Sequence, residues 1–225
     1  MECSEILAQL ASLSNPEALA GMARYGISVK NSFGVSIPVL RTMAREIGKN
    51  HRLAGELWSS GLREARILAA YIDDPCRVTG RQMERWARDF DSWEVCDQVC
   101  SNLFDRTHLA LSKAAEWSGR RDLFVKRAAF VLMASLAVHD KAAEDGVFES
   151  FLPIIERESL DDRKLVKKAV SWALRQIGKR NRRLNCMAID VAKALQRLGS
   201  KTAQWIALEA LRELKGYRVG ERLQG

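Results

Sequence analysis

Apolar residues along this chain recur at intervals of three and four almost from end to end, and sustained alternation is scarce. Helices are therefore predicted over 2–13 and 16–25, broken at Ser14-Asn15. The turn-rich segment GISVKNSFG, 26–34, reads as a loop. A third helix follows, with Ser36 as its N-cap and Pro38 in its first turn, where a missing N–H costs little. Its inward positions are Val39, Leu40, Met43, Ala44 and Ile47. Segments 53–58 and 64–72 form the next pair, hinged at Ser59-Ser60-Gly61, and Asp73-Asp74-Pro75 ends that unit.

Thr79 with Gln82 has a capping-box pattern opening a helix over 82–90. Asp91 with Glu94 makes a second box-like start for a helix over 92–104. Helices over 109–116, 122–139 and 147–157 come next, and 161–183 reads as one continuous helix. Two more follow over 184–198 and 202–214, separated by Gly199-Ser200, and 216–225 is expected to form a frayed tail. About thirteen helices and no strand are expected.

A faint repetition runs through these helices. EARILAAYI from Glu64, VKRAAFVLMASL from Val125, VKKAVSWALRQI from Val166 and TAQWIALEALREL from Thr202 read as versions of one inner helix. The later copies are spaced about forty residues apart, near the HEAT/armadillo period. Such units cannot bury their apolar faces alone and must stack. The expected fold class is all-α, a HEAT/armadillo-like α-solenoid of stacked antiparallel helix pairs with a concave surface. No linker or low-complexity segment divides the chain, so 1–225 is read as a single HEAT-like repeat domain.

Composition adds three constraints. With 225 residues, 47% hydrophobic and 28% charged, the chain can bury one sizeable core. A formal net charge of +8 favours polyanionic partners, nucleic acid among them. Five cysteines without regular spacing argue for a reducing compartment. Cys96 and Cys100 lie one helical turn apart, but no second ligand pair accompanies them, and they read as small buried residues. The N-terminus lacks a basic start followed by an apolar run, and no stretch approaches the roughly 20 apolar residues needed to span a membrane. A cytoplasmic location is expected.

Three stretches could carry chemistry. In the first, 161–183, Leu165, Val166, Ala169, Val170, Ala173, Leu174 and Ile177 mark the buried face. Trp172 lies off that face, beside Lys168, Arg175 and Gln176, and the cations continue through Lys179, Arg180, Arg182 and Arg183. An aromatic among cations suits a phosphate backbone plus a flat or apolar group, but it also suits a core tryptophan bordering a soluble helix's basic face. The second stretch, DSWEVCDQVCSNLF, sets Trp93 and Asp97 four apart on one helical face. That pair could hold a charge against a sugar, or simply be a structural acid near a half-buried indole. In the third, Arg127 stands in a helix apolar over most of its circumference and needs an anionic partner, either an internal carboxylate or a phosphate.

Taken in order, FGVSIPVLRTMARE, LWSSGLREARILAA, the Trp93–Asp97 run, the Lys126-Arg127-Ala128 helix and VKKAVSWALRQIGKRN resemble the AlkD-like DNA alkylation-repair family, from about Arg24 to Trp205. The resemblance implies a HEAT-like superhelix whose concave basic face holds duplex DNA. In active members it implies a monofunctional glycosylase that releases cationic alkylated purines such as 3-methyladenine and 7-methylguanine, without flipping the base into a pocket. Carried over by motif, Trp93 and Trp172 would pack against the lesion's deoxyribose, Asp97 would be the catalytic carboxylate, and Arg127 would grip the backbone nearby. Lys168, Arg175, Lys179, Arg180 and Arg183 are the further DNA-binding candidates. The segment around Tyr25 matches loosely and assigns no N-terminal lesion contact.

The chemistry of the residues is compatible with that implication. An alkylated purine already bears positive charge and needs little acid assistance to leave. The remaining demand is to stabilise an oxocarbenium-like sugar and to position water, tasks a carboxylate and indole faces can share. No metal or diffusible cofactor is required, a monomer is expected to suffice, and the partner implied is double-stranded DNA containing alkylated purines, with no membrane. Some family members keep the fold and bind DNA without excising bases, so a non-catalytic binder of damaged or branched DNA is one rival. A protein-interaction scaffold, a common occupation of helical solenoids, is the other.

Overall fold

The three-and-four spacing becomes helix almost wherever it runs. The computed structural model describes residues 2–222, which contain fourteen α-helices and no strand. In order they are α1 Cys3–Ser12, α2 Pro16–Arg24, α3 Ile37–Ile47, α4 His51–Ser59, α5 Arg63–Ile72, α6 Gly80–Arg88 and α7 Trp93–Asn102. Then come α8 Ala110–Ser118, α9 Leu123–His139, α10 Asp145–Glu158, α11 Lys164–Gly178, α12 Arg182–Arg197, α13 Lys201–Leu214 and α14 Tyr217–Arg222. Short 3₁₀ turns occupy Pro75–Arg77 and Phe104–Arg106. Among the described residues no helix is long and apolar enough to cross a membrane. The helices cluster into two compact units, Met1–His108 and Leu109–Gly225.

In the first unit α5 is the hub, with α1, α3, α4 and α7 packed on it. Eight of its ten residues are buried, including the charged Arg63 and Glu64. Trp58 and Trp86 stack in parallel, ring centres 4.0 Å apart, and Phe90 and Phe104 close the cluster around them. The Trp58 indole N–H donates to Asp89 at 2.8 Å, which supplies the polar partner a buried tryptophan needs.

In the second unit α11 packs between α9 and α13, while α8 lies on α9 and α10 on α12. The row α9–α11–α13 contains the three later copies of the inner helix. α9 buries twelve of its seventeen residues, as a helix apolar nearly all round must. Gly178 ends α11 where the helices approach closely. A Cβ there would lie 2.8 Å from the Leu214 side chain and 2.9 Å from that of Ala188, so a larger residue would displace Leu214 and crowd α12 at Ala188.

Several local expectations are corrected. The stretch 161–183 is not one helix: α11 stops at Gly178, Lys179 and Arg180 lie in a turn, and Asn181 caps α12 by accepting the Leu184 N–H at 2.9 Å. Asp91 and Glu94 form no box. Ser92 is the cap of α7, accepting from the Val95 N–H, and Glu94 is engaged by Arg63 instead. Thr79 does cap α6, but Gln82 turns away to Asp73 at 2.6 Å. Ser36 stands at the N-cap of α3 without a side-chain cap bond. Within the expected frayed end, Tyr217–Arg222 is helical, and 223–225 lie outside the described residues.

Candidate nucleic-acid interface

The first unit holds one of the three predicted constellations and the second holds the other two. In the first, α7 presents Trp93 and Asp97 one turn apart, both half-buried, with Val95, Cys96, Val99 and Cys100 packed beneath them. Burial pushes the Cys100 thiol well above its ordinary pKa, which suits an inert packing residue rather than a nucleophile. The Trp93 indole N–H donates to the Tyr25 carbonyl at 3.0 Å, which ties down the edge of the ring.

A buried ion network fixes the start of α7. Arg63 reaches Glu94 through two parallel bonds, Nε to Oε2 at 2.7 Å and Nη2 to Oε1 at 2.8 Å. The same guanidinium donates to Glu64 at 3.0 Å and to the Val35 carbonyl at 3.1 Å. Glu64 is wholly buried. It accepts from the Ser32 hydroxyl at 2.7 Å and from the backbone N–H groups of Phe33, Gly34 and Val35 at 3.0–3.2 Å. One buried pair on α5 therefore orders both the loop after α2 and the first turn of α7. Gly34, at φ +75°, fits that loop because a Cβ would strike the Asn15 carbonyl oxygen at 2.4 Å.

In the second unit Trp172 is half-buried on α11, with Lys168 one turn before it and Arg175 and Lys179 after it. Lys168 is exposed and makes no ion pair among the described residues. Arg175 and Lys179 share Glu213 of α13, the latter at 2.6 Å. Burial pushes Glu213 up, but the hydrogen bonds from Lys179 and Arg175 outweigh it and hold the carboxyl below its ordinary range. Two cations against one carboxylate leave the face positive. Arg127, 6% exposed, donates to the Leu165 carbonyl at 2.6 Å, two turns before Trp172 on the same helix.

The remaining cations have different surroundings. Arg183 is 69% exposed and pairs with Glu149 at 2.8 Å. Arg180 donates to the carbonyls of Ala137, Asp140 and Ala143 and lies on the Phe148 ring, so three of its N–H groups are engaged by the chain itself. Sequence reasoning placed it with the DNA-binding cations, and spacing shows its charge but not these partners. The Arg63–Glu64–Glu94 network and the Tyr25 contact were also missed. An Arg-Glu pair opening an apolar helix was a usable signal for the network. A carbonyl 68 residues upstream of Trp93 left none.

The model of the DNA alkylation repair enzyme family matches residues 6–214. The chain belongs to this family. A solved structure superposes on it with a TM-score of 0.78 at 20% sequence identity, covering 95% of this chain and 96% of that one. That protein is described as one of a new family related to the HEAT-like repeat DNA glycosylases, with affinity for branched DNA structures. At this identity the likeness shows the fold, a HEAT-like repeat. No curated protein matches the chain.

Proposed function

We propose that this protein is a monofunctional DNA N-glycosylase that hydrolyses the N-glycosidic bond of cationic alkylated purines, 3-methyladenine and 7-methylguanine, in duplex DNA. The observation that carries the reading is the half-buried Trp93 and Asp97 on one face of α7, in a chain of the DNA alkylation repair family. In this reading the bond from C1′ to the purine nitrogen breaks and its electron pair passes to the base, cancelling the positive charge. The sugar becomes an oxocarbenium ion. Asp97 stabilises that charge and takes a proton from the water that adds to C1′. The indole faces of Trp93 and Trp172 are electron-rich and suit a cationic sugar. Lys168, Arg175, Lys179 and Arg183 hold phosphates, and Arg127, on α9, steadies the first turn of α11 through the Leu165 carbonyl beside the DNA backbone. No step calls for a metal or a diffusible cofactor.

A second reading is a binder of branched or damaged DNA without excision, favoured by the affinity described for the superposing protein. Release of free base from a duplex carrying one 7-methylguanine separates the two. Release supports the glycosylase. Salt-sensitive binding without release supports the binder, and absence of salt-sensitive binding removes both.

A further inference from the structure

Between the α9–α10 connection and the α11–α12 turn lies a polar cavity of about 390 Å³. A fixed guanidinium helps form its wall. Arg180 donates from Nη1 to the carbonyls of Ala137 at 3.0 Å and Asp140 at 2.7 Å, and from Nη2 to Ala143 at 3.1 Å. Those bonds fix the guanidinium plane. Cζ lies 3.9 Å from the centre of the Phe148 ring, which covers one face, and Nε is buried without a partner. The face away from Phe148 and the second Nη2 N–H are what Arg180 has left to present to the cavity it lines. A planar cation held in this way is a stacking platform for a flat, electron-rich ring.

The rest of the lining fits the same kind of guest. The Gln176 amide and the Glu144 carboxylate line the cavity and make no side-chain hydrogen bond among the described residues. An amide and a carboxylate are the groups that read the edge of a nucleobase, the carboxylate accepting from an exocyclic amino group. Lys141 and Lys179 bring positive charge for an attached phosphate. Glu144 and Asp145 make the α10 side unfavourable for a phosphate, so the ring enters and the phosphodiester stays with the lysines. The volume suits one small ligand and excludes a duplex. Lys179 also pairs with Glu213, which joins the cavity to the Trp172 face of α11.

We propose, building on the DNA-binding reading above, that this cavity receives a single unpaired nucleotide of the bound DNA, its base stacked on Arg180. The test titrates the full chain with a duplex carrying one bulged 2-aminopurine and with the same sequence fully paired, following 2-aminopurine fluorescence and affinity. The bulged duplex binds roughly tenfold tighter, as one added stacked base predicts, and its emission changes on binding. Ala143→Leu narrows the cavity from a half-buried wall position and removes that preference while keeping the affinity for paired duplex. Gln176→Leu, at a half-buried position, weakens the preference and serves if Ala143→Leu melts early. Equal affinity of the wild type for both duplexes overturns this proposal, as does a preference that survives both substitutions. Paired binding that falls with salt but shows no preference overturns the cavity alone. Binding of neither duplex overturns the DNA reading with it.

Discussion

The Trp93 indole N–H donates to the Tyr25 carbonyl at 3.0 Å, tying α7 to the end of α2. Tyr25 itself is 78% exposed, so the bond holds main chain to ring and leaves the phenol outside. Trp93→Phe keeps an aromatic face and removes the donor. The expected cost is about 1 kcal/mol of stability, the usual net value of one hydrogen bond. Amide exchange in residues 25–35 should quicken, and unchanged exchange there would show that the bond does not order the loop.

Glu64 has a larger structural role. It is fully buried and accepts from three backbone N–H groups, the Ser32 hydroxyl and Arg63. Glu64→Ala strands those donors and leaves Arg63 with one carboxylate fewer, at a cost of about 3–5 kcal/mol. Thermal or denaturant unfolding measures this directly. A loss of under about 1 kcal/mol would mean that water replaces the carboxylate.

Lys168 and Arg180 should separate affinity for fully paired duplex from stability. Lys168 is exposed and unpaired among the described residues, so Lys168→Ala lowers DNA affinity evenly across sequences and reduces the salt slope by about 1, with melting unchanged. Arg180→Ala removes three carbonyl contacts and the Phe148 stack, and costs about 2 kcal/mol of stability. Equal effects of the two on melting would contradict these assignments.

Asp161 provides a pH signature. Hydrogen bonds from Arg163 pull its carboxyl down, burial opposes them, and Lys126 adds to the lowering, for a folded value of about 2 against an ordinary 3.8. A depressed carboxyl stabilises the fold fully above the unfolded value and loses that contribution as pH falls through the folded one. The melting gap between wild type and Asp161→Asn should therefore be constant above about pH 5 and close between about pH 4 and 2. A gap that stays constant down to pH 2 would rule out the linkage.

The helices were legible because burial leaves a periodic record, plain in α5, α11 and α13, while α9 is apolar nearly all round and shows as a nearly unbroken apolar run. Trp93 and Asp97 were legible as a pair because both lie on one helix, four residues apart. Long-range polar geometry leaves no such record. The split of 161–183 turns on Asn181, whose cap outcompetes continued helix, and spacing gave no sign that carbonyls of α9 and the following loop hold Arg180. Glu94 likewise fits a capping rule by position, yet Arg63, 31 residues earlier, takes its carboxylate.

The most direct measurement of the central claim is release of free 7-methylguanine from a singly modified duplex by wild type and by Asp97→Asn. The substitution is nearly isosteric and removes the negative charge. Excision should fall by at least about a hundredfold, with duplex affinity and melting preserved. Excision by Asp97→Asn at the wild-type rate would contradict the assigned role of Asp97. Excision by neither protein, with salt-sensitive binding intact, would make this a DNA-binding member of the family without the chemistry.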